Sequence, residues 1–439
     1  MRCRTRCPAP PSLMSLFPHS LSMLLLLLAL TNPALGSDRD ASSPTPGAIE
    51  GSGEDRDETL GGPSSTSGQL EEDGRAVEPV LRLQWLDDAI APYYEFKKNV
   101  ADRYGLAFGA DYTTVLQGAS RSAGSNEATS GMFRLFGAWD VLGRESGNTG
   151  TLVFKVENRH DLGTQTAAQD LGFELGYAGI TAAAFSDFRN EGWGLTNLFW
   201  RQRIAEGRIT ALAGVVDATD YVDLYGLISP WLHFTNLAFL TNPTIAAPSQ
   251  GVGAAIGVRA TDRIYLIAGV ADANGDPVDP LGSVDTFFDE TEYFKHLEIG
   301  VTSSAADRIY LDNVHVTLWH ADERTDLGVP DGWGIAVSGA WFFDDRWLPF
   351  VRAGYAKDGG ALYEGSVSWG LGYYVAKRRD VFGVGLNWSR PSDTAVAPGL
   401  DDQYTAEIFY RIQLTQGLAL TPDVQLIIDP ALNPDDESI

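Results

Sequence analysis

Between Tyr104 and Ile428 the sequence alternates apolar and polar residues with a period of two, and the linkers between the alternating segments are by turns long and short. In Gln403 to Leu414 one face carries Tyr404, Ala406, Ile408, Tyr410, Ile412 and Leu414, and the other Thr405, Glu407, Phe409, Arg411 and Gln413. Asp312 to His320 opposes Val314, Val316 and Leu318 to His315, Thr317 and Trp319. Asp380 to Arg390 opposes Phe382, Val384, Leu386 and Trp388 to Gly383, Gly385, Asn387 and Ser389. A period of two belongs to an extended strand with two unlike faces. About fifteen such strands begin near residues 105, 131, 150, 195, 207, 251, 262, 295, 312, 332, 347, 366, 380, 403 and 418.

The linkers decide the architecture. Residues 118–130, 160–193, 218–250, 272–293, 321–331, 356–364 and 391–402 are long, and most alternate with tight turns at Ala205-Glu206-Gly207, Thr261-Asp262, Asp344-Asp345, Lys377-Arg378 and Gln416-Gly417. The linkers 142–149 and 303–311 are of middling length but fall in the tight positions. A β-sandwich or propeller has no reason to keep one rim long and the other short over so many hairpins. An all-β, transmembrane, up-and-down antiparallel β-barrel, with short periplasmic turns and long extracellular loops, does. The only long apolar run, Met23 to Leu30, is too short to span a bilayer as a helix.

That run follows Arg2, Arg4 and Arg6 and precedes Ala34-Leu35-Gly36, so residues 1–36 are expected to be a signal peptide cleaved before Ser37. Both cysteines, Cys3 and Cys7, lie inside it, which leaves the mature chain without disulfides or thiolate chemistry. The formal charge of −26 becomes −29 once the three leader arginines are removed, and excludes a general nucleic-acid surface. Residues 37–80 hold eleven acids, three arginines and no aromatic residue, the composition of an acidic disordered tether. Residues 81–104, with Leu83, Leu86, Ile90 and Phe96, are expected to form a short periplasmic helix or plug-like segment before a barrel at 105–439.

If the apolar faces meet lipid, the opposite faces line a lumen. They carry Arg134, Lys155, Glu157, Arg159, Arg201, Arg203, Arg259, Glu298, Arg352, Glu407, Arg411 and Gln413, the candidate pore-lining residues. A lysine or arginine facing lipid instead would cost about 2–4 kcal/mol at the midplane. Planar guanidinium groups present fixed donors to hydroxyl-rich solutes, and neighbouring glutamates cancel part of their field. The linker 218–250 is dense in aromatic residues, with Tyr221, Tyr225, Trp231, His233, Phe234 and Phe239. Two readings stand for it: packing against the barrel wall, or an inward constriction in which Trp231 and Phe234, with Trp193 and Trp319, stack on sugar rings.

Several runs resemble the OprB-type carbohydrate-selective porins. They are Asp345 to Tyr355 (DRWLPFVRAGY), Gly332-Trp333-Gly334, Val270 to Gly275 (VADANG), Val314 to Asp322 (VHVTLWHAD), and Tyr410 to Pro434 with its Leu420 to Gln425 (LTPDVQ) and Asn433-Pro434. The resemblance covers roughly residues 100–439 and implies a sixteen-stranded outer-membrane channel for passive diffusion of mono- or oligosaccharides. The family's Trp- and Gly-rich opening motif is absent, the nearest match being Leu83 to Asp88, and so is a last strand ending in an aromatic residue. Single-chain bacterial barrels use an even number of strands, so a count of fifteen leads to the expectation that the closing strand is missing, or that an N-terminal piece such as Leu81 to Leu86 replaces it.

A general small-solute or organic-anion porin is the alternative within transport. No enzymatic or metal constellation stands out. Asp272-Ala273-Asn274-Gly275-Asp276 starts like a calcium loop but has Pro277 where Gly is needed and Ser283 where Glu is needed. No cofactor is expected. Carbohydrate solutes and outer-membrane lipid are the implied partners, nucleic acid is excluded, and monomer and trimer are both compatible with the residues.

Overall fold

The computed structural model describes residues 59–75, 78, 83–144, 146–186, 192–303, 309–375 and 379–439. The expected signal peptide, the first part of the expected tether and the turn at Lys377-Arg378 lie outside them. Two helices, α1 (Thr66–Gly74) and α2 (Gln84–Tyr104), precede the strands. These are β1 (Leu106–Gly118), β2 (Glu127–Leu142), β3 (Gly150–Asp161), β4 (Trp193–Ile204), β5 (Ile209–Val216), β6 (Gly251–Arg259), β7 (Ile264–Asp272) and β8 (Tyr293–Thr302). They continue with β9 (Asn313–Ala321), β10 (Gly332–Ala340), β11 (Trp347–Asp358), β12 (Tyr363–Tyr374), β13 (Val381–Pro391), β14 (Gln403–Thr415), β15 (Leu418–Leu420) and β16 (Asp423–Ile428).

Each strand from β1 to β15 pairs antiparallel with its neighbour in sequence, and β16 pairs with β14 as β15 does. The last two are therefore one crossing, broken where Pro422 removes a ladder donor while its carbonyl still accepts from Tyr410 N at 3.0 Å. Each of the fifteen starts expected from sequence lies within four residues of an observed one. At the tight rim Asp344 and Asp345 both take positive φ, 50° and 51°. That pair of left-handed residues matches the twist of a two-residue hairpin, and aspartate tolerates it better than most side chains.

Burial is inverted relative to a water-soluble protein. On β11 Val351 is 58% exposed and its neighbour Arg352 only 2%. Along β14 the exposed positions are Tyr404, Ile408 and Tyr410, whereas Thr405, Glu407, Arg411 and Gln413 are buried. The apolar side meets the solvent of lowest dielectric, and the polar side faces inward. Trp193 and Trp333 near the long-loop rim, and Trp139 and Trp347 near the tight rim, place outward aromatic rings at both ends of the apolar band.

The sheet curls far enough for residues 217–250 to touch β2, β3, β8, β9, β11, β12 and β14 from inside. Arg134 of β2 stacks on Trp231, Lys155 of β3 pairs with Asp220, and Glu407 of β14 accepts from Thr235 N. Among the described residues no ladder joins β1 to β16. At the long-loop rim the chain turns back on β16, with Ile439 N donating to Ile427 O at 2.9 Å and Asp429 N to Glu437 O at 3.0 Å. Ile439 packs against the same buried cluster as Val115 and Ala119 near the end of β1. At the tight rim α2 lies beside β1, its Phe96 ring 6.1 Å from Phe108. Ile90 of the same helix reaches to 3.8 Å from where a Cβ on Gly417 would stand. A helix over 84–104 thus borders both sides of the seam.

The expected tether meets a different outcome over its described part. Thr59, Leu60, Ser64, Ser65, Thr66 and Gln69 are buried, and residues 59–75 lie in the lumen. Ser65 caps α1 by accepting from Gly68 N at 3.2 Å and also donates to Gly62 O at 2.8 Å. A composition poor in apolar residues predicts disorder when the alternative is water. Inside a polar bore Ser67, Glu72 and Asp73 find partners in Arg201, Arg411 and Lys97.

Candidate functional site: the lumen

All twelve residues expected to line the pore stand on the inner face and are buried. Their partners divide them. One set holds the inward loop. Lys155 Nζ lies 3.2 Å from Asp220 Oδ2, and Asn197 donates to the same oxygen at 3.2 Å. Glu407 accepts from the backbone N of Thr235 at 2.6 Å and of Asn236 at 3.1 Å. Glu298 accepts from Asp223 N at 2.8 Å, Thr317 Oγ1 at 2.7 Å and Tyr265 OH at 2.8 Å. Arg352 pairs with the Asp223 carboxylate, donates to Ser338 Oγ at 3.2 Å and lies over the Tyr225 ring at 4.6 Å.

A second set holds the N-terminal segment. Arg201 Nη1 donates to Ser67 Oγ at 2.7 Å, and Arg411 Nη2 to Glu72 Oε1 at 3.1 Å. Gln413 supports Arg411 by accepting from it at 2.8 Å. Other pairs lie within the wall. Arg134 is bidentate to Asp111, both contacts 2.7 Å, and Arg159 donates from Nε and Nη2 to the one oxygen Glu157 Oε2 at 2.9 and 2.6 Å. Arg203 and Arg259 stand at the tight rim, where Arg203 N donates to Thr149 O and Arg259 Nη2 to Asp262 O, each at 2.8 Å. These side chains are buried on the inner face, with protein groups on many of their donors.

The four residues expected to stack on sugars part company. Trp193 points outward, 55% exposed and edge-on to Phe133 at 6.3 Å, so it belongs to the lipid-side aromatic band and reaches no solute in the bore. Being the first residue of β4, it falls on the outward parity of that strand. Phe234 is buried in a knot with Phe239, Phe409 and Phe350 at 4.9, 4.8 and 5.8 Å. Its ring packs the loop against the wall. Trp231 and Trp319 do face inward, the first under the Arg134 guanidinium at 3.8 Å, the second stacked on Phe294 at 6.2 Å.

Sequence reasoning missed the acids that face the wall from the loop, Asp217, Asp220 and Asp223. Asp223 is fully buried, at φ 57°, and accepts from Arg352, from His315 Nε2 at 3.1 Å and from Asn242 N at 2.9 Å. Burial would raise its carboxyl, but Arg352 and His315 outweigh burial and hold it below the usual carboxylate range. Asp220 goes the other way: burial pushes it up to about 7, against the pull of Lys155 and with Asp217 adding to the rise. Three acids within seven residues, set opposite a wall rich in arginine and lysine, are the signal that could have found them. Tyr177, from the linker 162–192, was also missed; its hydroxyl accepts from Tyr363 at 3.0 Å and Thr405 at 3.1 Å.

A curled antiparallel sheet with lipid-facing apolar residues, a charged interior and an inward-folded loop defines a porin. The family model described as carbohydrate-selective porin, OprB family, matches residues 94–305 and 331–438. The chain belongs to that family. Among solved structures, the high-pH structure of Pseudomonas putida OprB is 14% identical, covers 79% of this chain and 94% of its own, and has a TM-score of 0.61. The low-pH structure of the same protein is 12% identical over 80% and 95%, with a TM-score of 0.44. A triple mutant of the Rhodopseudomonas blastica porin is 13% identical over 73% and 94%, with a TM-score of 0.46. No curated protein matches the chain.

Proposed function

We propose that the protein is a non-enzymatic channel of the outer membrane through which mono- or oligosaccharides diffuse passively. The family match over both halves of the barrel carries this reading. The interior supports it. Of the eleven charged candidates, eight are basic and three acidic, which alone would favour anions. The acids Asp111, Asp217, Asp220, Asp223 and Glu72 stand against those cations, so the bore offers oriented donors with much of the field cancelled. Neutral hydroxyl-rich solutes suit such a wall better than ions of either sign.

Planar-bilayer recording with a panel of sugars as blockers tests the proposal, together with swelling of proteoliposomes in the same sugars. Sugar block and swelling are the expected results. Potassium chloride conductance with neither would make the protein a general small-solute or organic-anion porin.

A further inference from the structure

Residues 59–75 cross the bore from one wall to the other. At one end Leu60 shares an apolar cluster with Val153, Phe199, Leu212 and Ala255, on β3 to β6. Thr59 lies against Gly257 of β6, where a Cβ would stand 3.0 Å from Thr59 Cβ. At the other end Glu72 meets Arg411 of β14 and Arg379, Gln416 donates to Arg75 O at 3.1 Å, and Asp73 pairs with Lys97 of α2. Gly62 lies against the Leu224 side chain of the inward loop. The family match begins at residue 94, so this crossing is made by a segment outside it.

The interface is polar and incompletely paired. Thr59 Oγ1, Ser64 Oγ, Thr66 Oγ1 and Gln69 Oε1 of the segment have no hydrogen-bond partner among the described residues, and neither do Asn197 Oδ1 and Thr210 Oγ1 of the wall. All six residues are more than nine-tenths buried. Each such group costs free energy that water or a better partner returns. Cavities of about 10 Å³ remain between segment, wall and loop, about the room one water-sized sphere needs and far below a sugar ring. The gaps lined by segment and wall are too small for a sugar ring, and the weakest contacts there are hydroxyl to wall.

We propose that residues 59–75 are an autoinhibitory plug whose Thr66 and Ser67 hydroxyls occupy a sugar-binding subsite around Arg201 and Asn197, and that permeating sugar competes with the plug for that wall. The identity of the competitor rests on the carbohydrate reading above; the plug itself does not. Ser67 Oγ, 2.7 Å from Arg201 Nη1, stands where a sugar hydroxyl would accept the same donor. Displacement hydrates or re-pairs the six stranded groups, so the closed state is held chiefly by Leu60 at one end and Glu72 at the other.

The test uses the full chain with Thr59→Cys and Gly257→Cys, since no cysteine follows Cys7 in the sequence. Oxidation is expected to form the 59–257 disulfide, seen as a gel shift, and to give a low potassium chloride conductance that rises several-fold on reduction. Deleting residues 59–75 should raise conductance several-fold without any redox dependence. Glucose or sucrose present during oxidation should slow disulfide formation in proportion to its concentration. Failure of the disulfide to form, or equal conductance of oxidised and reduced channels, would overturn the plug. Disulfide formation at a rate indifferent to both sugars would overturn the competition. A reduced channel that passes potassium chloride but excludes sugar keeps the plug and removes the carbohydrate reading. The cysteine pair, folded by the criterion of heat-modifiable gel migration, decides the matter even if the deletion does not fold.

Discussion

Replacing Asp223 by Asn tests whether the inward loop is fastened by charge. The carboxylate receives Arg352, His315 Nε2 at 3.1 Å and Asn242 N at 2.9 Å, all inside the bore. The amide keeps the shape, removes the charge and turns an NH₂ toward groups that are themselves donors. Removing one partner of a buried ion pair costs about 3–5 kcal/mol, and the low end applies because bore water can reach a released guanidinium. At about 1.4 kcal/mol per factor of ten, a loss of about 3 kcal/mol multiplies the population of detached loop roughly 10²-fold. Single-channel recording should therefore show frequent transitions to a larger conductance level, and the heat-modifiable band should convert at a lower temperature. Asp401→Asn, on an exposed loop, is the control that leaves both unchanged. Recordings and conversion temperature equal to wild type in Asp223→Asn would refute fastening through Asp223 and leave Lys155–Asp220, Glu407 and the aromatic knot around Phe234 as the loop's anchors.

Arg201→Ala and Arg352→Ala should each alter conductance and weaken sugar block, and unchanged values of both quantities would show that neither lines the narrow part. Trp231→Ala should change sugar block while Trp193→Ala does not; a strong effect at Trp193 would contradict its outward placement. Burial raises the Asp220 carboxyl to about 7, so acidification through that value neutralises it, leaves Lys155 at 3.2 Å uncompensated and adds positive charge to the bore. The anion-to-cation permeability ratio should rise on passing from about pH 8 to about pH 6, and Asp220→Asn should abolish the change; a ratio flat in the unsubstituted channel speaks against the buried pair. Circular dichroism should be dominated by β structure, and a mainly helical spectrum would end the barrel reading.

Strand positions were legible because lipid on one side and a polar bore on the other impose a strict two-residue alternation, so Ile408 and Glu407 announce their faces by chemistry alone. Linker lengths supplied the topology, since only an up-and-down barrel keeps one rim tight through turns such as Asp344-Asp345. The inner face of Arg134, Lys155 and Arg352 followed from the same parity. What parity does not carry is what each side chain touches. Asp223 sits in an irregular loop with no period to place it, and its partners Arg352 and His315 lie 129 and 92 residues away in sequence. Trp193 was misplaced because its chemistry suits both a girdle and a sugar platform, and at the first residue of a strand one position of register changes the face.

The N-terminal segment exposes a more general limit. Disorder is inferred from composition by asking whether a segment can bury enough apolar surface to offset its ordering entropy, and residues 59–75 fail that question with little more than Leu60 and Leu70 to offer. The question assumes that the only shelter from water is an apolar core. A barrel lumen is a second kind of shelter, lined with fixed donors, where an ordered hydroxyl or carboxylate gains charge-assisted hydrogen bonds instead of hydrophobic contacts. Glu72 illustrates the difference: burial raises its carboxyl, yet Arg379, Arg411 and Arg75 together bring it below the ordinary value. Outside the bore the same glutamate would be one more charge in an acidic run. Whether a polar segment orders therefore depends on the wall it can reach, and in this chain that wall is contributed by residues that all lie further on in the sequence, as far as Arg411.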